Sequence, residues 1–295
     1  MKNINSYLLF LFLISPTLYS QELYFLKDST VLKWSQNSNR IDTIWKAPFR
    51  LYNASMSQDC EYVSFNIFVG SNPATSTSTV GFYSLIEKKV TLVKSMSGLN
   101  GDAILSPNDN FVAFSCYYFG PCTAIYDRIK DTTIYDVVPF KESRISDAFA
   151  WRTDSTLLFA TFEGIVEKNI YTNDFKLFSI PDTESMSVTI PGTQACFITD
   201  SLYFLMCGDW DSSFGNQIGA PTNVFLVRNQ KATRLLSGSF NAKFIRHLNQ
   251  DLYIDYLDLS ESEEGIEKLV RYNLKSGMQS PVKRLGMLIG MGSKK

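Results

Sequence analysis

Short apolar runs bounded by polar turns recur along nearly the whole chain. In FVAFSCYY, CTAIYDRIKD and TTIYDVV, then in LYFLMC, TNVFLVRNQ and ATRLLS, then in LYIDYLDL, IEKLVRYNLKSG and MQSPVKRL, the runs carry Val, Ile, Tyr, Phe and Thr and end at Asn, Asp, Gly or Ser. That is the signature of short strands joined by turns. No stretch keeps a helical period with caps, so the pattern predicts an all-β chain.

The strands fall into a repeat. Asn53-Ala54, Asp102-Ala103, Asp147-Ala148, Gln194-Ala195 and Asn241-Ala242 each open a strand, a polar turn and a second apolar strand, with spacings of 49, 45, 47 and 47 residues. Four strands per unit of about 45 residues is the blade of a β-propeller. Before the first unit, Leu23–Leu26, Val31–Trp34 and Ile41–Trp45 supply three strands, and Leu285–Ile289 remains as one strand after the fifth. Three plus one completes a further blade, with the C-terminal strand innermost and closing the ring, which removes exposed sheet edges. The expectation is a six-bladed propeller with four-stranded blades, with seven blades as the rival count. No linker or composition shift divides residues 21–295, which read as one domain.

Residues 1–20 stand outside that repeat. Lys2, the apolar run Tyr7–Ile14, the break at Ser15-Pro16 and a cleavage site before Gln21 form the pattern of a secretory signal peptide, with too few apolar residues to span a bilayer. The expectation is a periplasmic or secreted protein without membrane insertion. Export permits disulfides. Among five cysteines, Cys116 and Cys122 face each other across a hairpin turning at Gly120-Pro121, so these two are expected to pair, while Cys60, Cys196 and Cys207 read as buried apolar residues.

Composition then removes several functions. With 28 Lys+Arg against 29 Asp+Glu, the formal net charge is -1, which excludes the basic stripe of a nucleic-acid binder. A single His, His247, excludes a three-His zinc site and an HExxH protease. His247 reads as a turn residue. There is no GxSxG elbow, phosphate-binding glycine loop or CxxC pair.

Ser106–Phe114 (SPNDNFVAF) followed by AIYDRIKDTTIYDV resembles the repeat of TolB-like, WD40-like periplasmic propellers, which reads Ser-Pro-Asp-Gly, an apolar strand, then a strand ending in Asp. Ala150–Ala160 resembles it in part. The resemblance implies the propeller fold and protein–protein interaction in the envelope. Propellers also host lyases and hydrolases.

Loop lengths suggest where a partner would bind. The connections Gly70–Thr79, Tyr117–Pro121, Gly208–Pro221 and Leu259–Gly265 elaborate one face, while the opposite face has tight turns. Tyr117, Tyr118, Phe119, Asp209, Trp210, Asp211, Phe214 and Asn216 are the expected binding residues there, since interfaces favour exposed aromatics. The expected partner is an envelope or extracellular protein, or a glycan, bound to a monomer. Asn53, Asp102, Asp147, Gln194 and Asn241 would ring the channel mouth on the same face. That ring reads either as a ligand site or as blade-to-blade hydrogen bonding. It also leaves open a glycan hydrolase or lyase built on Asp102 and Asp147. Asp209–Ser213 alternates oxygen side chains as a calcium loop does, but Phe214 and Ala220 stand where an EF-hand needs Gly and Glu, so no cofactor is expected.

Overall fold

The computed structural model describes residues 20–69, 77–93, 100–117, 121–137, 146–172, 174–181, 186–187, 193–209, 222–236, 240–260 and 265–294. The expected signal segment, before Ser20, lies outside them. Six antiparallel sheets form a ring of blades. Blade 1 joins the two ends of the chain: Met287–Lys294 is innermost, followed outward by Ser20–Lys27, Thr30–Ser35 and Arg40–Lys46. The other blades run outward in chain order from inner strands Asn53–Met56, Asn100–Leu105, Ser146–Thr153, Gln194–Thr199 and Phe240–Leu248. The six-blade count and the C-terminal closure are thus as expected. The closing strand lies further along than Leu285–Ile289, because the segment 282–286 is used to cross from blade 6 to blade 1.

The repeated dipeptide acquires a physical reason. Ala54, Ala103, Ala148, Ala195 and Ala242 are all buried on inner strands. A small side chain lets the neighbouring blade reach the inner-strand backbone. Ser64 Oγ of blade 2 donates to the Ala103 carbonyl at 2.6 Å, and Thr222 Oγ1 of blade 5 donates to the Ala242 carbonyl. Trp151 Nε1 of blade 4 makes the same kind of bond to the Ile104 carbonyl at 3.1 Å. These bonds satisfy inner carbonyls that would otherwise be stranded between blades.

Between the blades lie apolar clusters rather than one central core. Leu23, Phe25, Tyr253, Leu269 and Leu288 fill the junction of blades 6 and 1. Phe204, Val224, Ile245, Leu252 and Ile254 fill that of blades 5 and 6. Cys116 and Cys122 pair directly across their strands and form the expected disulfide; Cys60, Cys196 and Cys207 stand outside it, and of these Cys207 is buried as expected while Cys60 and Cys196 are only half-buried.

Candidate functional site

Inner strands begin on one face, here the loop face, and end on the other, the turn face. On the loop face second strands end at Val69, Tyr117, Asp209 and Asp258, and the next strands begin at Thr77, Pro121, Thr222 and Ile266. Tyr118, Phe119, Trp210, Asp211, Phe214 and Asn216 lie outside the described residues, as does the side chain of Tyr117. Their stems are described, and two of them are clamped. The Cys116–Cys122 disulfide closes one. Asp209 closes the other: it is 1% exposed and accepts a forked pair from Arg234, Nε and Nη2, both at 2.8 Å. Asn223 Nδ2 donates to the same carboxylate at 2.7 Å. The short strand Met186–Ser187 pairs with Gly208-Asp209 and widens this base. Asp209, one of the expected partner contacts, is buried and ties the end of its strand to Asn223 and Arg234.

The polar ring shows its bonding where it is described. The Asn53 side-chain amide donates to the Asp102 carboxylate, linking blades 2 and 3. The Gln194 side-chain carbonyl accepts from the Ile245 amide at 3.5 Å, linking blades 5 and 6. The side chains of Asp147 and Asn241 lie outside the described residues. Among the described residues, no three His, Cys, Asp or Glu side chains are grouped to hold a metal.

The cavity that sequence reasoning missed lies at the other end of the channel. A space of about 690 Å³ is lined by inner-strand ends from all six blades, including Ser55, Ile104, Trp151, Phe197, Arg246 and Met291. Arg246 and His247 belong to the inner strand itself, so His247 is not the turn residue expected. The His247 ring packs 5.7 Å from Phe204 of blade 5, and burial pushes its pKa below the usual imidazole value. Arg152 pairs with Glu167 and Asp200 and lies over Phe197 at 4.5 Å. Glu22 accepts from Lys33 at 3.1 Å and from the Tyr24 hydroxyl at 3.0 Å.

At the rim, two turns share a plan. Ser106 Oγ accepts from Phe111 N at 3.0 Å and donates to Asn108 Oδ1 at 2.8 Å. Ser57 Oγ accepts from Tyr62 N at 2.9 Å and donates to Asp59 Oδ1 at 2.6 Å. The Ser-Pro-Asn-Asp turn therefore has a counterpart in Ser57-Gln58-Asp59-Cys60, hidden in the sequence by its missing proline. The fourth position, glycine in the resembled repeat, is left-handed in both: φ is 63° at Cys60 and 56° at Asp109. Only glycine adopts that region without a Cβ penalty, with Asn and Asp next best.

Asp109 bears a second load. It is buried, and the Asp59 carboxylate meets it from blade 2. Burial, followed by Asp59, pushes its pKa up to about 7, against the partial help of Arg128. A folded-state value above the unfolded one means the native state holds the extra proton, so stability falls as pH rises from about 4 to about 7. Asp109→Asn keeps a residue suited to positive φ and removes the charge. It is expected to raise stability by about 1–3 kcal/mol at pH 8 and by almost nothing at pH 4. Chemical denaturation of both proteins across that range checks it, and parallel profiles would exclude a raised Asp109 pKa as the cause.

The architecture defines a six-bladed β-propeller closed by the C-terminal strand, and solved structures share the propeller fold. No family model and no curated protein sequence matches the chain. TolB from Acinetobacter baumannii is similar at TM-score 0.52 and 10% identity, over 93% of this chain and 66% of that one. A putative TolB from Agrobacterium tumefaciens is similar at TM-score 0.56 and 10% identity, over 89% and 88%. The β-propeller domain of the Trilobed protease from Pyrococcus furiosus, described as having an open velcro topology, is similar at TM-score 0.51 and 10% identity, over 90% and 98%. These likenesses establish a TolB-like propeller fold. In this chain the seam is closed by Met287–Lys294.

Proposed function

We propose that this protein is a non-catalytic recognition scaffold, exported to the periplasm or beyond, that holds a protein or glycan partner on its loop face. The observation that carries this reading is the clamping of two stems. The Tyr117–Phe119 segment leaves a disulfide-closed hairpin, and the Trp210–Asn216 segment leaves a stem fixed by the pairing of buried Asp209 with Arg234. Both segments carry aromatic residues, and a rigid base lowers the ordering cost of binding through them. Loops presented by a rigid frame are where binding residues concentrate. The disulfide fits an oxidising compartment. The Asn53–Asp102 bond supports a structural part for the polar ring and weighs against a carboxylate pair working there.

The test compares wild type with a Tyr118→Ala, Phe119→Ala, Trp210→Ala variant of equal melting temperature. Both are cross-linked in the native envelope and culture supernatant, and the captured species is then titrated in purified form. At least a tenfold loss of affinity in the variant is expected, because buried aromatics dominate interfaces. Unchanged affinity would remove the loop face from the reading. Turnover of a glycan that vanishes in Asp102→Asn would replace the scaffold with a hydrolase or lyase.

A further inference from the structure

We infer that the turn-face end of the central channel is a second binding site, for an organic carboxylate carried on an apolar body, with Arg246 as its counter-charge. This site goes beyond the loop-face reading and does not depend on it. Arg246 leaves the inner strand of blade 6 and reaches across to blade 2, where Nη2 donates to Ser55 Oγ at 3.0 Å. Its guanidinium lies 4.5 Å over the Phe244 ring, which fixes the plane of the fork. Nε is buried and, among the described residues, has no hydrogen-bond acceptor. Among the described residues Arg246 forms no ion pair. The ionisable group that acts on it is Cys196, and burial pushes that thiol up to about 11, so it is neutral and offers no counter-charge. The other charged groups on the wall are already engaged. Glu22 is held by Lys33, and Arg152 by Glu167 and Asp200, while Asp59 faces Asp109 at the rim.

An arginine side chain stays charged in a protein, and its fork matches a carboxylate in two parallel bonds. A half-buried charge without a counter-charge is costly, and a site for an anion is the arrangement that removes that cost. Around it the wall is mixed: Met56, Ile104, Leu105, Trp151 and Met291 supply an apolar part, between polar groups such as Gln58, Asp59 and Arg152. Glycine lets blade 1 close against blade 2 along this wall. A Cβ on Gly290 would lie 2.2 Å from Met56 Cβ, and one on Gly292 would lie 2.7 Å from Cys60 Sγ. A volume of about 690 Å³ exceeds any bare inorganic anion and suits a ligand with a body.

The probe is 3-phenylpropionate, titrated calorimetrically into the purified protein beside 3-phenylpropionamide, which keeps the body and loses the charge. Inorganic phosphate is titrated in parallel. Wild type is expected to bind the acid at least tenfold more tightly than the amide. Arg246→Met is expected to bind acid and amide equally, with a melting temperature no lower than wild type, since an uncompensated cation has been removed. Arg246→Lys should retain a reduced preference for the acid. Equal binding of acid and amide by wild type, or no saturable binding of either, would overturn the site. Saturation by phosphate without the acid would overturn the carboxylate assignment. Loss of folding in Arg246→Met but not in Arg246→Lys would make the cation a structural brace and overturn the proposal as well.

Discussion

Deleting residues 287–295 is expected to abolish cooperative folding. The closing strand pairs with Ser20–Lys27 through Leu23↔Met291, Tyr24↔Gly290, Phe25↔Leu288 and Leu26↔Met287. Leu288 and Ile289 are 1% and 0% exposed, and burying each stabilises by about 1.5–3 kcal/mol. The deletion also bares Leu23 and Phe25, both 0% exposed in the closed ring, and leaves a long apolar strand edge at the channel. Added to the lost ladder bonds, at about 0.5–1.5 kcal/mol each, the total approaches the whole stability of an ordinary domain, about 5–15 kcal/mol. Differential scanning calorimetry should show no two-state transition, and the protein should aggregate. A transition within a few degrees of wild type would mean that the seam is dispensable. The contrast is with a clasp laid on an already complete ring. Here Leu288 is part of the cluster between blades 6 and 1 and Ile289 of the cluster between blades 1 and 2, so removing the strand opens two junctions at once.

How much of this was legible in the chain follows from what each feature depends on. The strands and their grouping depend on local alternation and on a short residue, Ala, buried on the inner strands of blades 2 to 6 where a neighbouring blade approaches. Both repeat, so both can be read. The Cys116–Cys122 pair depends on one hairpin register, which a five-residue turn nearly fixes. The cavity depends on side chains from all six blades meeting at one end of a channel, and no local window contains that meeting. Arg246 is the clear instance. In NAKFIRHLNQ it sits beside polar residues near a turn and looks like a solvated charge. Only the curvature of the ring carries it across to Ser55, almost two hundred positions away in the chain. The burial of Asp209 is hidden from a local window for the same reason: its partner Arg234 lies beyond the long segment, on the outer strand of the blade. The second Ser-containing turn was missed because its signal was sought in proline, whereas the hydroxyl that holds the turn is the serine's.

Arg284→Ala is expected to be the most damaging single substitution at the seam. Arg284 lies on the crossing between Gln279–Pro281, the outer strand of blade 6, and the closing strand. Its Nε donates to Asp255 Oδ1 at 3.0 Å and its Nη2 to Asp255 Oδ2 at 3.4 Å. Asp255 is 1% exposed, and its other oxygen contact is the Leu288 amide at 3.2 Å. Burial pushes the Asp255 pKa above the usual carboxylate range, and Arg284 is the main group opposing that rise. Removing the guanidinium leaves a buried carboxylate with one amide donor, a change that costs about 3–5 kcal/mol where burial is nearly complete. The pH dependence identifies the cause. In the variant the folded-state value rises further above the unfolded one, so the native state keeps a proton that the unfolded state releases, and stability falls as pH rises through that window. The deficit relative to wild type should therefore be larger at pH 8 than at pH 5. Asp255→Asn combined with Arg284→Ala removes the stranded charge and should recover most of the loss at pH 8. Urea denaturation at the two pH values decides the matter. A deficit below about 1 kcal/mol at both would place the pair with solvent-screened surface bridges, and the closing strand would then be held by its ladder and its two buried side chains alone.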